Sequence, residues 1–120
     1  MKRILVIEDT EDNRRIIRDL LTTVGYELIE AVDGEEGVEM AAQEKPDLIL
    51  MDIQLPRMDG YEATRRIKAD PATAHIPVIA VTSYALSGDE EKTRAAGCDA
   101  YIAKPFSPRQ LLAKVRELLG

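Results

Sequence analysis

Short apolar runs and amphipathic stretches alternate along this chain from one end to the other. Ile4-Leu5-Val6-Ile7, Leu48-Ile49-Leu50-Met51 and Val78-Ile79-Ala80-Val81 are uninterrupted hydrophobic runs, each bounded by polar residues or proline. Runs of this length and purity read as strands buried on both faces. Leu28 to Ala31 is a weaker candidate and Ala100 to Ala103 a short one. Between them the period changes to that of a helix. Ile16, Ile17, Leu20, Leu21 and Val24 predict one apolar stripe, closed by Gly25. Asp33 with Glu36, Asp59 with Glu62, and Ser87 with Glu90 have capping spacing, and each opens a predicted helix. The first of these carries Val38, Ala41 and Ala42, the second runs through Ile67, and the third closes at Gly97. Ser107, Pro108 and Gln110 start the last helix, with proline at its first position and Leu111, Leu112, Val115, Leu118 and Leu119 as its buried stripe.

Five strands, each followed by a helix, predict an α/β domain. Strands this uniformly apolar need cover on both faces, so the sheet is parallel with helices on either side. Five units are too few to close a barrel, and an open sheet results. The 120 residues suffice for one ordinary core, and no repeat, low-complexity segment or linker divides them.

Composition narrows the function by exclusion. A net charge of −6 with scattered basic residues argues against a nucleic-acid surface. No segment has the apolar length that inserts into a bilayer, and the four-residue run after Met1-Lys2-Arg3 is too short for a signal peptide. Cys98 is the single cysteine, which excludes an internal disulfide, suits a cytoplasmic protein and is expected to be a small buried side chain.

In an open doubly wound sheet, ligands bind beyond the carboxyl ends of the strands. The residues there are Glu8 and Asp9 after the first strand, Asp52 after the third, Thr82 and Ser83 after the fourth, and Lys104 after the fifth. Asp9 and Asp52 together make a hard-oxygen site that Mg2+ answers, with Glu8 reaching it through water. A carboxylate beside such an ion can form an aspartyl phosphate, with Lys104 and Thr82 holding phosphoryl oxygens. The residues alone leave open a plainer reading, a structural ion pair between Lys104 and Asp52.

Glu8-Asp9, Met51-Asp52-Ile53-Gln54-Leu55-Pro56 with Asp59-Gly60, Ala80-Val81-Thr82 and Tyr101-Ile102-Ala103-Lys104-Pro105 resemble the signature of receiver domains of two-component response regulators. The resemblance spans essentially the whole chain. It implies the flavodoxin-like (βα)5 fold with strand order 2-1-3-4-5, and Asp52 as phosphoacceptor from a histidine kinase, a histidine phosphotransfer protein or a small phosphodonor. It further implies Mg2+ on Asp9, Asp52 and the carbonyl of Gln54, with Glu8 helping through water. Thr82 and Lys104 would contact the phosphoryl group, and Lys104-Pro105 would be cis. Thr82 and Tyr101 would act as switch residues, rearranging a face formed by helix 4, strand 5 and helix 5 that engages a downstream protein target. For Tyr101 the alternative is a half-buried strand tyrosine. Gln54 and Tyr84, each two residues past a site residue, would tune the phosphoryl lifetime, with a solvated loop aromatic as the alternative for Tyr84. Such a domain is a signalling phosphoacceptor that assists its own phosphoryl transfer and dephosphorylation, not an enzyme acting on other substrates.

The surroundings of Asp52 and the Gly88-Asp89-Glu90-Glu91 and Gly97-Cys98 stretches resemble DivK-like single-domain regulators. With a plausible start at Met1 and an end just past the last helix, residues 1–120 are expected to form one stand-alone receiver whose output is a protein contact. The competing reading is a module cut from a hybrid histidine kinase or a longer response regulator, and a phosphorylation-independent interaction module is a third. A phosphoaspartyl hydrolase would carry a second acid where Gln54 stands, and an EF-hand would need glycine where Arg14 follows Asp9, Glu11 and Asn13. No glycine-rich phosphate loop is present, and His75 stands alone in a polar loop.

Overall fold

The computed structural model describes residues 2–82 and 89–119. Its elements keep to the predicted alternation: β1 (Arg3–Ile7), α1 (Glu11–Thr23), β2 (Glu27–Ala31), α2 (Gly34–Glu44), β3 (Leu48–Asp52), α3 (Gly60–Ala69), β4 (Val78–Thr82), α4 (Asp89–Ala96), β5 (Ala100–Ala103) and α5 (Pro108–Leu119). The strands form one parallel sheet in the order β2-β1-β3-β4-β5, the flavodoxin-like arrangement.

Alternate residues of each strand enter different layers. Leu5, Ile7, Ile49, Met51, Val78 and Ala80 pack with Ala41 of α2 and with Ala63 and Ile67 of α3. Ile4, Val6, Leu48, Leu50, Ile79 and Val81 pack with Ile17 and Leu21 of α1 and with Leu111 and Val115 of α5. All twelve strand side chains are at most 3% exposed, which accounts for their unbroken apolar runs.

The helix starts obey their sequence signals. Asp33 accepts from the N–H of Glu36 at 2.8 Å, and Asp59 from that of Glu62 at 2.9 Å. Ser107 and Gln110 make the reciprocal capping box, Gln110 N–H to Ser107 Oγ at 3.1 Å and Ser107 N–H to Gln110 Oε1 at 2.8 Å. The Ser87 cap lies outside the described residues. Gly25 and Gly97 adopt positive φ, of 98° and 102°, where a left-handed turn ends a helix.

Two departures concern helix faces. Ile16 and Val24 of the expected α1 stripe are 60% and 40% exposed, and the buried positions are Arg14, Ile17 and Leu21. Of the adjacent pairs Ile16-Ile17 and Leu20-Leu21 only the second member is buried, and Val24 is the C-cap residue, past the end of the helix at Thr23. On α2, Val38 and Ala41 pack inward while Ala42 is exposed. Cys98 is half-buried against the core, its thiol 3.8 Å from Thr64 Oγ1, and burial pushes its pKa up. Among the described residues, no helix is long and apolar enough to cross a membrane.

Candidate functional site

The carboxyl ends of β1, β3, β4 and β5 share one rim because all strands run parallel. Register fixes who stands beside whom: Asp52 pairs with Val81, and Thr82 pairs with Ala103, immediately before Lys104. Asp52 and Thr82 are the last residues of their strands, one position later than the apolar runs suggest. Asp52 is 4% exposed and Thr82 fully buried. The N–H of Lys104 donates to the carbonyl of Thr82 at 2.7 Å, which ties the fifth strand end to the fourth. The Lys104-Pro105 bond is cis.

Glu8 and Asp9 come directly after β1. Successive side chains leave a strand in opposite directions, and these two part company: Glu8 is buried and Asp9 exposed. Glu8 is held from three sides. Oε2 accepts from the N–H of Thr10 at 3.0 Å, and Oε1 from Lys104 Nζ at 3.0 Å and Asn13 Nδ2 at 3.3 Å. Lys104 Nζ lies farther from Asp52 Oδ2, at 3.6 Å. The ammonium thus pairs more closely with Glu8 than with Asp52, and the simple Lys104–Asp52 bridge is only part of the arrangement. The second oxygen of Asp52 accepts from the N–H of Gln54 at 3.1 Å.

One oxygen from each of Glu8, Asp9 and Asp52 lies within 4.8 Å of the others. This crowding sets their acidities. Burial and then the charge of Glu8 raise the pKa of Asp52 from 3.8 to about 6, against the Gln54 N–H and Lys104, which pull it down. Burial alone would raise Glu8 as well. The Thr10 N–H, Lys104 and the neighbouring Asp9 outweigh it and hold Glu8 below its usual value. Desolvation and the neighbouring Glu8 push Asp9 up. Among the described residues three carboxylates face one ammonium, and the rim is short of positive charge. An all-oxygen donor set in that condition fits a hard divalent cation.

Tyr101, on β5, is half-buried against the core layer that holds Met51 and Ala80. Gln54 is half-buried in the β3–α3 loop. Tyr84 and Ser83 lie outside the described residues. An open, mostly apolar groove of about 500 Å³ runs beside the rim between Asn13, Ile16 and Ile17 of α1 and Pro105 and Phe106. Two residues of this neighbourhood escape a reading for strand-end polar groups: Asn13, bonded to Glu8, and Arg14, whose Nη1 donates to the Glu8 carbonyl at 2.7 Å. A signal exists for Arg14, a charged residue three and seven positions before the buried Ile17 and Leu21.

Known proteins place this geometry in a family. The family described as response regulator receiver domain matches residues 4–116. The polar-differentiation response regulator DivK of Brucella anthropi is 46% identical over 119 residues, covering 99% of this chain and 97% of its own, and DivK of Brucella ovis is equally similar. Among solved structures, the receiver domain of a sensor histidine kinase from Pseudomonas aeruginosa, with a magnesium ion coordinated in its active-site cleft, is 39% identical with a TM-score of 0.92. It covers 99% of this chain and 98% of that one. A chemotaxis protein of Vibrio cholerae is 26% identical with a TM-score of 0.94 and covers 99% of both chains. The chain therefore belongs to the receiver domains of two-component response regulators, a family of signalling domains.

Proposed function

We propose that residues 1–120 form one receiver that accepts a phosphoryl group on Asp52 and signals through a protein–protein contact. The convergence of Glu8, Asp9 and Asp52 beside Lys104 on one rim carries this reading. Asp9, Asp52 and the Gln54 carbonyl would hold Mg2+, with Glu8 reaching it through water. The bound ion supplies positive charge that keeps Asp52 ionised and offsets the charge of a phosphoryl group. An Oδ atom of Asp52 attacks phosphorus while the donor's leaving group departs. Lys104, leaving Glu8, contacts one phosphoryl oxygen, and the Thr82 hydroxyl contacts another. Water later cleaves the acyl phosphate at the same site, so the domain assists its own charging and its own reset. Gln54 and Tyr84 flank the phosphoryl group and tune that lifetime.

The phosphodonor is a cytoplasmic histidine kinase or histidine phosphotransfer protein. It docks along the apolar groove beside the rim, which gives the exposed Ile16 a use. A downstream protein target reads the α4–β5–α5 face, where Tyr101 turns inward as Thr82 moves toward the phosphoryl group. α4 suits a rearranging element, because among its described side chains only the small Thr93 and Ala96 are buried.

Incubation with acetyl phosphate and Mg2+ tests the reading. Intact mass is expected to rise by one phosphoryl group that maps to Asp52, and chelation of the metal or Lys104→Ala is expected to suppress most of the gain. An unchanged mass, or a modified residue elsewhere, overturns it. For the switch, Tyr101→Ala is expected to be phosphorylated at the wild-type rate but to bind its target about tenfold more weakly, because the coupling between the phosphoryl group and the target face is lost. Full-strength binding would remove Tyr101 from the switch. The likeness to a kinase receiver keeps one further reading in view, a module within a histidine kinase. The size of the native polypeptide, read by immunoblot, separates the two.

A further inference from the structure

Arg14 occupies a position of α1 that the helix's own periodicity reserves for an apolar residue, and it is only 9% exposed. A buried guanidinium is tolerated when its N–H groups meet acceptors. Nη2 donates to Glu11 Oε2 at 2.6 Å, and Nε lies 3.4 Å from Glu30 Oε1. Arg18 joins the same two acids, donating to Glu30 at 2.7 and 2.8 Å and lying 3.4 Å from Glu11 Oε1. Two guanidiniums and two carboxylates balance in charge without further help.

The remaining bond has no part in that balance. Nη1 donates at 2.7 Å to the neutral main-chain carbonyl of Glu8, and this bond is buried. On the strand side, the N–H of Glu8 donates to the carbonyl of Ala31 at 3.1 Å. The main chain is therefore gripped on both sides of Glu8, just where it leaves the sheet. The carbonyl that Arg14 holds belongs to the peptide joining Glu8 to Asp9, whose two carboxylates crowd against Asp52. Like charges at this spacing repel, and the paired register of β1 ends at Ile7, so the Glu8 N–H bond to Ala31 and the Arg14 bond are what brace the main chain there.

We propose that Arg14 is a positioning residue. Its bond to the Glu8 carbonyl fixes the Glu8–Asp9 peptide so that both acids converge on Asp52 and the rim is preorganised for a divalent cation. The inference rests on the cation reading above and adds to it the residue that holds the ligands in place.

Magnesium titration calorimetry on the intact protein, with thermal unfolding of each variant, tests this. Arg14→Met is expected to bind Mg2+ at least about tenfold more weakly than wild type, as losses of groups that orient metal ligands do. The double variant Glu11→Gln, Glu30→Gln removes the ion pairs and spares the carbonyl bond. It is expected to melt lower yet keep wild-type affinity. Combining all three substitutions leaves no carboxylate stranded beside a missing guanidinium, so it stays measurable if Arg14→Met folds poorly, and it is expected to bind as weakly as Arg14→Met. Affinity that tracks melting temperature across the set, or a wild-type constant in the Arg14 variants, overturns the inference while leaving the cation site standing. Absence of magnesium binding by the wild type instead removes the site itself and the inference with it.

Discussion

At pH 7 without magnesium, Asp52→Asn is expected to melt at a higher temperature than the wild-type protein, and the advantage is expected to shrink as pH falls toward 4. The buried Asp52 carboxyl has a pKa raised from 3.8 to about 6, first by burial and then by Glu8. A group that holds its proton more tightly when folded stabilises the protein fully below its unfolded pKa and loses that contribution as pH rises through its folded pKa. The window runs from about 3.8 to about 6. Above it the folded state carries an ionised, crowded carboxylate, at a cost of about 2–3 kcal/mol by the usual conversion of pKa into free energy. Glu8 has the opposite sign. Its pKa is held below 4.5, so its contribution is present above that value and fades only as pH falls below it. Asp9 shifts in the same direction as Asp52, and being exposed adds little. Asparagine removes the cost attached to Asp52. Melting curves between pH 4 and 8, repeated with saturating magnesium, check the result. The cation should raise the wild-type melting temperature more than that of the variant. A variant no more stable than wild type at pH 7 would show that the three acids do not oppose one another.

Gly60→Ala is expected to lose roughly 3 kcal/mol of stability or more and to slow phosphoryl acceptance in whatever protein remains folded. A methyl group at Gly60 would sit 2.4 Å from the carbonyl oxygen of Asp52 and 2.7 Å from the Cα of Ile53. Both are main-chain atoms and cannot rotate away. The N–H of Gly60 also donates to the carbonyl of Ile53 at 2.9 Å, so α3 starts in direct contact with the residues that carry the acceptor. The extra carbon must push either the helix or the end of β3. Denaturant unfolding measures the first effect, and the acetyl phosphate time course measures the second. A variant within 1 kcal/mol of wild type would mean that the α3 start adjusts freely.

The ten elements were legible because strands covered on both faces leave unbroken apolar runs, and because Asp33, Asp59 and Ser107 stand where their capping bonds form. The rim was legible for a topological reason: parallel strands deliver the residues just past each run to the same edge. What the residues did not disclose was direction. Nothing in Glu8-Asp9 says which acid turns inward, since that depends on how β1 leaves the sheet, and Lys104 finds its nearer partner in Glu8 only once that turn is made. Ile16 departs from the stripe because an amphipathic pattern shows which side of a helix faces in, not how wide the contact is, and Val24 departs because the helix ends at Thr23, one residue before it. Arg14 escapes the pattern because charge argues for the surface, and only its three acceptors reverse that argument.

The order of the sheet leaves β2 and β5 as its two flanks. Unpaired flanks invite foreign strands to add on, and proteins discourage this with short length and charge. β5 has only four residues, while β2 carries the exposed Glu27 and, farther along, Glu30, which is paired to Arg18. One flank is thus short and the other carries charge, so neither offers a long, bare edge to which a strand of another copy could add.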